Sequence, residues 1–239
     1  MSYSHIKERF LRDIAEHKME VVLNNGVHRH LSFRKPGSSC YSFSIVTWPG
    51  YLAISGDMGA NIFSRTFDML EFFRSSGDRH DFNINPHYWQ EKLQCAREEA
   101  KTFSRDLLNE EVKRTLEQYF EDYVDSSDDD YAENLEKMNS FKAAVIRHID
   151  DSIEYDDVSH AYSVFNNFLT EDLDLPFELE DAPDFFKEFN FGEDISSTSW
   201  MEFTHHYIWH CFAIAYAAAE YDKFMAATPA PEENHKSGE

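Results

Sequence analysis

The alternation of apolar and polar residues changes period several times along the chain, and each change marks an element. From His5 to about Lys18, Ile6, Phe10, Ile14 and Ala15 recur at helical spacing, which predicts a short amphipathic helix. The period then falls to two. Met19 to Leu23 leads into Asn24-Asn25-Gly26, whose Asn and Gly tolerate positive φ, and Val27 to Lys35 follows with Val27, Arg29, Leu31 and Phe33 alternating. Pro36-Gly37, Trp48-Pro49-Gly50 and Gly56-Asp57-Met58-Gly59 punctuate the next apolar runs, Cys40 to Thr47, Tyr51 to Ser55 and Ala60 to Phe63. Short strands joined by tight turns make an antiparallel meander. Phe67, Leu70, Phe72 and Phe73 return to helical spacing and close an α+β unit by about residue 75.

Beyond that point the chain reads helical. Pro86 suits the first turn of a helix running through Trp89, Leu93 and Ala96. Further helices are predicted over about Asn109 to Tyr123, with Val112, Leu116, Tyr119 and Phe120 inward, and over Tyr131 to His148 and Val158 to Leu169. The last, about Thr198 to Met225, is the longest and most apolar and is expected to be the central strut of the helical part. Between these helices, Ser126-Ser127-Asp128-Asp129-Asp130 reads as a loop or boundary, because adjacent like charges repel. The expected fold class is α+β: residues 1–125 form the meander unit with following helices, residues 131–226 an acidic helical part, and residues 227–239 a disordered tail.

Charge sharpens that division. Residues 1–100 carry 12 Lys/Arg against 12 Asp/Glu, residues 101–239 carry 10 against 33, and the whole net charge of −23 falls in the second group. A disordered acidic chain is poor in aromatics, whereas this one has 21 Phe, 12 Tyr and 4 Trp, so the acidity belongs to a folded protein. The three cysteines, Cys40, Cys95 and Cys211, include no C-x-x-C pair and suit a reducing compartment. The opening MSYSHIKERF has no apolar signal region, and the apolar run Tyr207 to Ala219 contains His210 and is stopped by Glu220, short of the roughly 20 residues of a membrane span. A cytoplasmic location is the expectation.

The strongest constellation runs from Asp150 to Asp194, with 15 carboxylates and a single basic residue, Lys187. On a helix beginning near Asp150, Val158, Ala161, Tyr162, Phe165 and Leu169 face inward and leave Asp150, Asp151, Glu154 and Asp157 outward. From Glu171 to Glu180, Leu173, Leu175, Phe177 and Leu179 alternate with Asp172, Asp174, Glu178 and Glu180, as an extended segment does. Phe185, Phe186, Phe189 and Phe191 then stand among Asp184, Glu188, Glu193 and Asp194 as candidate aromatic anchors. Duplex DNA shows one negative charge per about 1.7 Å, so this excess matches roughly 40 Å of duplex. That suits imitation of nucleic acid; the bland alternative is an acidic surface that serves solubility.

Smaller clusters carry other chemistry. Glu202, His206 and His210 are four apart, with His205 and Cys211 beside them, a spacing zinc sites use, although the intervening Tyr, Ile and Trp suit histidines bonded within a core. His28, His30 and Arg34, with Lys35 close by, project from one face of a strand and could hold a phosphate or nucleotide, or simply be solvated. Asp57 could be a lone carboxylate or only a turn residue. No phosphate-binding glycine loop, nucleophile elbow or cysteine-hydrolase signature occurs.

One further pattern is specific. His30-Leu31-Ser32-Phe33-Arg34 with Pro36-Gly37, Thr47-Trp48-Pro49-Gly50, Gly56-Asp57-Met58-Gly59, and Asp68-Met69 through Phe72-Phe73-Arg74 resemble a family of bacteriophage and prophage proteins without an assigned activity. The resemblance covers roughly the first third of the chain, implies a viral accessory gene and transfers no catalytic residue. Taken together, these features make the expected function that of a phage-encoded, non-enzymatic inhibitor that uses no cofactor. Its partner would be a basic, nucleic-acid-binding host or defence protein, such as a CRISPR effector or restriction enzyme, with no direct contact to nucleic acid or membrane; self-association stays open. The alternative is nucleotide binding at the His/Arg cluster or a zinc-dependent activity at the His/Glu cluster.

Overall fold

The computed structural model describes residues 3–74, 83–95, 97–121, 131–191 and 200–228. The protein is α+β, with an antiparallel five-stranded sheet near the N-terminus and helices around and after it. The chain divides into two compact units. One combines the residues up to Lys101 with those from Phe203 onward, and the other is Thr102–Glu202. The boundary therefore differs from the expected division near residues 126–130, a segment that lies outside the described residues. Of the expected tail at 227–239, Ala227 is still helical and Thr228 caps that helix, while residues 229–239 and the end of the expected helix at Tyr123 lie outside the described residues.

In the first unit, helix α1 (Ser4–Asp13) precedes strands β1 (Lys18–Asn25), β2 (His28–Arg34), β3 (Phe43–Trp48), β4 (Tyr51–Gly56) and β5 (Gly59–Ser64), paired in chain order. The turns explain the register. Asn25 pairs with His28 across Gly26-Val27, one residue later than the dipeptide pattern predicts, and Gly26 supplies φ +60°. Gly56 pairs with Gly59 across Asp57-Met58, with φ +95° at Gly59, while a Cβ on Gly56 would stand 2.0 Å from the Ser42 carbonyl oxygen. Alternation then sorts the faces. Leu31, Phe33, Phe43, Ile45, Leu52, Ile54 and Phe63 are buried on one face, and His28, His30, Ser32 and Arg34 occupy the other.

The buried face meets the last helix, α8 (His205–Ala227), capped by the Thr204 hydroxyl accepting from Tyr207 N–H. This is the main correction at the level of elements. The helix expected to be the strut of the acidic part instead fills the core of the sheet unit, with Trp209 edge-on to Phe43 of β3 at 5.6 Å and to Phe10 of α1 at 5.2 Å. A helix apolar almost all round has to be covered on several sides. Burying side chains such as Ile208, Phe212 and Ile214 contributes about 1.5–3 kcal/mol each. Helix α2 (Met69–Phe72) and helix α3 (Pro86–Gln90) complete this unit, α3 beginning at a proline and capped by Asn85.

In the second unit, α4 (Arg105–Phe120) buries Leu108, Val112, Leu116 and Phe120, one per turn. They pack with Phe141, Val145 and Ile149 of α5 (Tyr131–Ser152) and with Ala161 and Phe165 of α6 (Val158–Asn166). Helix α7 (Asp184–Lys187) brings Phe186 into the same core. Strands β6 (Lys101–Phe103) and β7 (Met201–Phe203) pair where the chain passes between units, and within the second unit Ser104 N–H donates to Trp200 C=O at 2.8 Å.

Candidate functional site

The division into units redistributes the charge. Thr102–Glu202 carries 7 Lys/Arg against 28 Asp/Glu, a net −21, while the sheet unit carries 15 against 17. Both ends of the chain thus build a nearly neutral body, and almost all the acidity sits in the unit inserted between them.

Each expected carboxylate of that unit is exposed: Asp150, Asp151, Glu154, Asp157, Asp172, Asp174, Glu178 and Glu180. They arise differently from the expectation. No helix begins near Asp150; α5 continues past it to Ser152, and α6 starts after Asp157, whose carboxylate accepts the His160 N–H at 2.9 Å as an N-cap. Asp150 is also not free. Arg105, 45 residues earlier, reaches Asp150 Oδ1 at 3.1 Å and Asp156 Oδ1 at 3.2 Å and donates to the Ile153 carbonyl at 2.9 Å. Asp174 has Arg147 at 3.7 Å, and Asp184 has Lys187 at 3.4 Å. Among the described residues, Asp151, Glu154, Asp172, Glu178 and Glu180 have no ion pair, as is also true of the exposed Asp157, Glu171 and Glu188.

The aromatic anchors need a larger correction. Phe186, Phe189 and Phe191 are buried in the core of the unit, and Phe185 packs against it, its ring 4.4 Å from that of Phe186. Rings from other parts of the unit enclose them; Phe189 contacts the rings of Tyr119, Phe141 and Phe168. Phe186, Phe189 and Phe191 present nothing to a partner, and Phe185 is half-buried. The outward apolar side chains are instead Tyr155, Tyr162 and Leu169, of which Tyr162 and Leu169 were expected inside. Glu193 and Asp194 lie outside the described residues.

The segment Glu171 to Glu180 keeps its expected alternation without forming a strand. Leu173 is buried and Leu175, Phe177 and Leu179 are half-buried, while Asp172, Asp174, Glu178 and Glu180 face out. Two single 3-10 turns, Thr170–Asp172 and Leu179–Asp181, shape it, and Pro176 removes a donor a ladder would need. It lines an open groove of about 660 Å³.

The Glu/His cluster comes apart. Glu202 lies in β7, not on the helix that carries His206 and His210, and Glu202 and His206 are exposed while His210 is buried. With Asn61 Nδ2 donating to His210 Nδ1 at 2.7 Å, the ring is held as the neutral acceptor. Burial, reinforced by the nearby His206, lowers the His210 pKa to about 4. Burial likewise pushes the Cys211 thiol up, which leaves it an inert core group. Among the described residues, no group of three or more His, Cys, Asp or Glu side chains is placed to hold a metal ion.

His28, His30 and Arg34 do share the outer face of β2, as their spacing predicts. Arg34 and Lys35 line a groove of about 610 Å³ with Lys18, Ser38 and Ser39, which neither histidine reaches. Both cations are already engaged, Lys35 with Glu16 at 2.5 Å and Arg34 with Glu20 at 3.7 Å. Asp57 has a structural partner as well. It accepts from Tyr41 N–H at 2.8 Å and so holds Tyr41 at φ +54°, a conformation costly for a non-glycine residue.

One arrangement escaped sequence reasoning altogether. Arg29, on the buried face of β2, forms a two-pronged pair with Asp68 at 2.9 and 2.8 Å, and its guanidinium lies 5.3 Å from the centre of the Tyr221 ring. Burial works to raise the Asp68 carboxyl, but the bonds from Arg29 and from the backbone of Glu71 and Leu70 outweigh it and hold Asp68 below its ordinary range. The signal was present in the alternation, which puts Arg29 in line with Leu31 and Phe33.

No family model, curated protein or solved structure matches the chain. No helix among the described residues is long and apolar enough to cross a membrane.

Proposed function

We propose that the protein acts by binding rather than by chemistry of its own, the inserted unit Thr102–Glu202 serving as an electrostatic decoy for a basic, nucleic-acid-binding protein. The observation that carries this reading is the confinement of a net −21 to one compact unit beside a body of net −2. An acidic surface that served only solubility has no reason to be segregated. Unpaired carboxylates at Asp151, Glu154, Asp172, Glu178 and Glu180 repel one another, and cations arriving on a partner relieve that repulsion. Tyr155 and Tyr162 are the exposed rings on which arginine side chains of such a partner would lie. In the phage setting that the meander resembles, the partner class is a host or defence effector such as a CRISPR effector or a restriction enzyme.

With the phenylalanines buried, binding rests on charge more than on apolar anchors, so it is expected to be fast and strongly salt-dependent. The test is competition. Candidate effectors are held on labelled DNA or guide RNA at low salt, and the protein is added. Displacement that weakens by at least tenfold between about 50 and 200 mM salt, and that is lost when Asp151, Glu154, Asp172, Glu178 and Glu180 are changed to lysine, is the expected result. Displacement untouched by those five reversals would sink the proposal.

A further inference from the structure

Within that reading, the geometry points to a specific docking groove. We infer that the cleft lined by Leu175, Phe177 and Leu179 and rimmed by Asp174, Glu178 and Glu180 receives a partner segment in which arginine or lysine flanks a leucine-sized apolar side chain. The inference rests on the proposed function, because it supposes a basic partner, and it adds where that partner docks and what besides charge it must carry.

Three observations support it. First, the cleft is a concavity of about 660 Å³, within the roughly 300–1,000 Å³ of ordinary binding sites and large enough for two or three side chains. Second, its apolar lining is spare. Leu175, Phe177 and Leu179 pack on one side against the core of the unit yet stay half-exposed, and Leu169, at 57% exposure, leads into Thr170 on the lining. Apolar surface left in water beside an intact core is what a partner's side chain can cover. Third, charge complementarity selects the occupant. The rim carboxylates alternate with the apolar residues along one segment, so a chain crossing the cleft meets anionic and apolar positions in turn. Lys187, the cation on the lining, is engaged with the Glu180 carbonyl at 3.1 Å and with Asp184 at 3.4 Å, which leaves the Glu178 carboxylate open to an incoming cation.

A featureless acidic surface would not distinguish between basic peptides of equal charge, and this groove does. The test uses the full chain and two fluorescent peptides of equal length and charge, one alternating arginine with leucine and the other arginine with serine, titrated at low and moderate salt. The leucine peptide is expected to bind about tenfold more tightly and to keep that advantage as salt rises, since burying a leucine contributes more than 1 kcal/mol independently of ionic strength. Asp174→Lys with Glu178→Lys should erase the advantage, while Asp151→Lys with Glu154→Lys, away from the cleft, should weaken both peptides equally; circular dichroism confirms that each variant is folded. Equal binding of the two peptides would overturn the groove and leave the acidic decoy standing. Binding of neither peptide would overturn both, and a concentration-dependent dimer that blocks the leucine peptide would assign the groove to a second copy of the chain instead.

Discussion

At the scale of single residues, burial decides which polar groups are chemistry and which are architecture. His210 illustrates the rule. It looked like a metal ligand because it stands one turn from His206, but its side chain is buried on α8, and its unprotonated nitrogen accepts from Asn61. The unfolded chain takes up a proton near 6.5, and the folded ring resists protonation down to about 4. Between those values the unfolded state binds more protons, so stability falls as the pH is lowered through that window. The linked loss is on the order of 3 kcal/mol by pH 4. His205, also lowered by burial and by Arg9 and His206, adds a further loss in the same direction. Replacing His210→Gln keeps an acceptor for Asn61 and removes the larger titration. Urea unfolding at pH 7 and pH 4.5 should therefore show a clearly smaller loss in the variant than in the native chain; equal losses would mean that His210 is not the titrating group.

At the scale of elements, local chemistry was legible and long-range assignment was not. The meander could be read because its information is local: period-two burial fixes the faces, and Gly-containing turns fix the register within a residue. Gly56 shows how tightly. A Cβ there would meet the Ser42 carbonyl at 2.0 Å and Phe43 Cα at 2.7 Å, both backbone atoms that no rotamer change can move aside. Gly56→Ala should therefore force β3 and β4 apart and destabilise the sheet unit by about 2–3 kcal/mol, seen as a lower denaturant midpoint at unchanged slope. Gly26, with nothing within 4 Å of an added Cβ, bears only the strain of its positive φ and serves as the comparison. The segment Glu171 to Glu180 shows the limit of such reading. Its in-and-out pattern was correct, but whether an alternating segment becomes a strand depends on a partner to pair with, and Pro176 removes a donor such a ladder would use. The same holds for the phenylalanines from Phe185 to Phe191: their spacing does not tell a surface anchor from a core, because the helices that cover them come from residues 105–152.

At the scale of the whole molecule, the charge boundary proved to be the boundary of an insertion. The change in composition near residue 101 was visible, but the return near residue 203 was hidden, since α8 is uncharged enough to join either half and only its packing on Phe43 and Phe10 assigns it to the sheet. Within the sheet unit the two ends of that insertion are adjacent, for Thr204 N–H donates to Ala100 C=O at 3.0 Å. A connection of two or three glycine or serine residues can therefore replace Thr102–Glu202 without stretching the chain. The core of the remaining unit draws on its own residues, from Ile6 through Ala100 and from Phe203 through Tyr221, so it should fold without the insertion. The shortened protein is expected to unfold cooperatively, to retain the acid-sensitive step of His210, and to elute from an anion exchanger at much lower salt, having lost 21 of 23 net negative charges. It should also fail to displace nucleic acid from any basic effector that the full chain displaces. Cooperative unfolding with capture intact would move the binding surface to the sheet unit, whereas loss of folding would show that the body needs its insertion for stability as well as for charge.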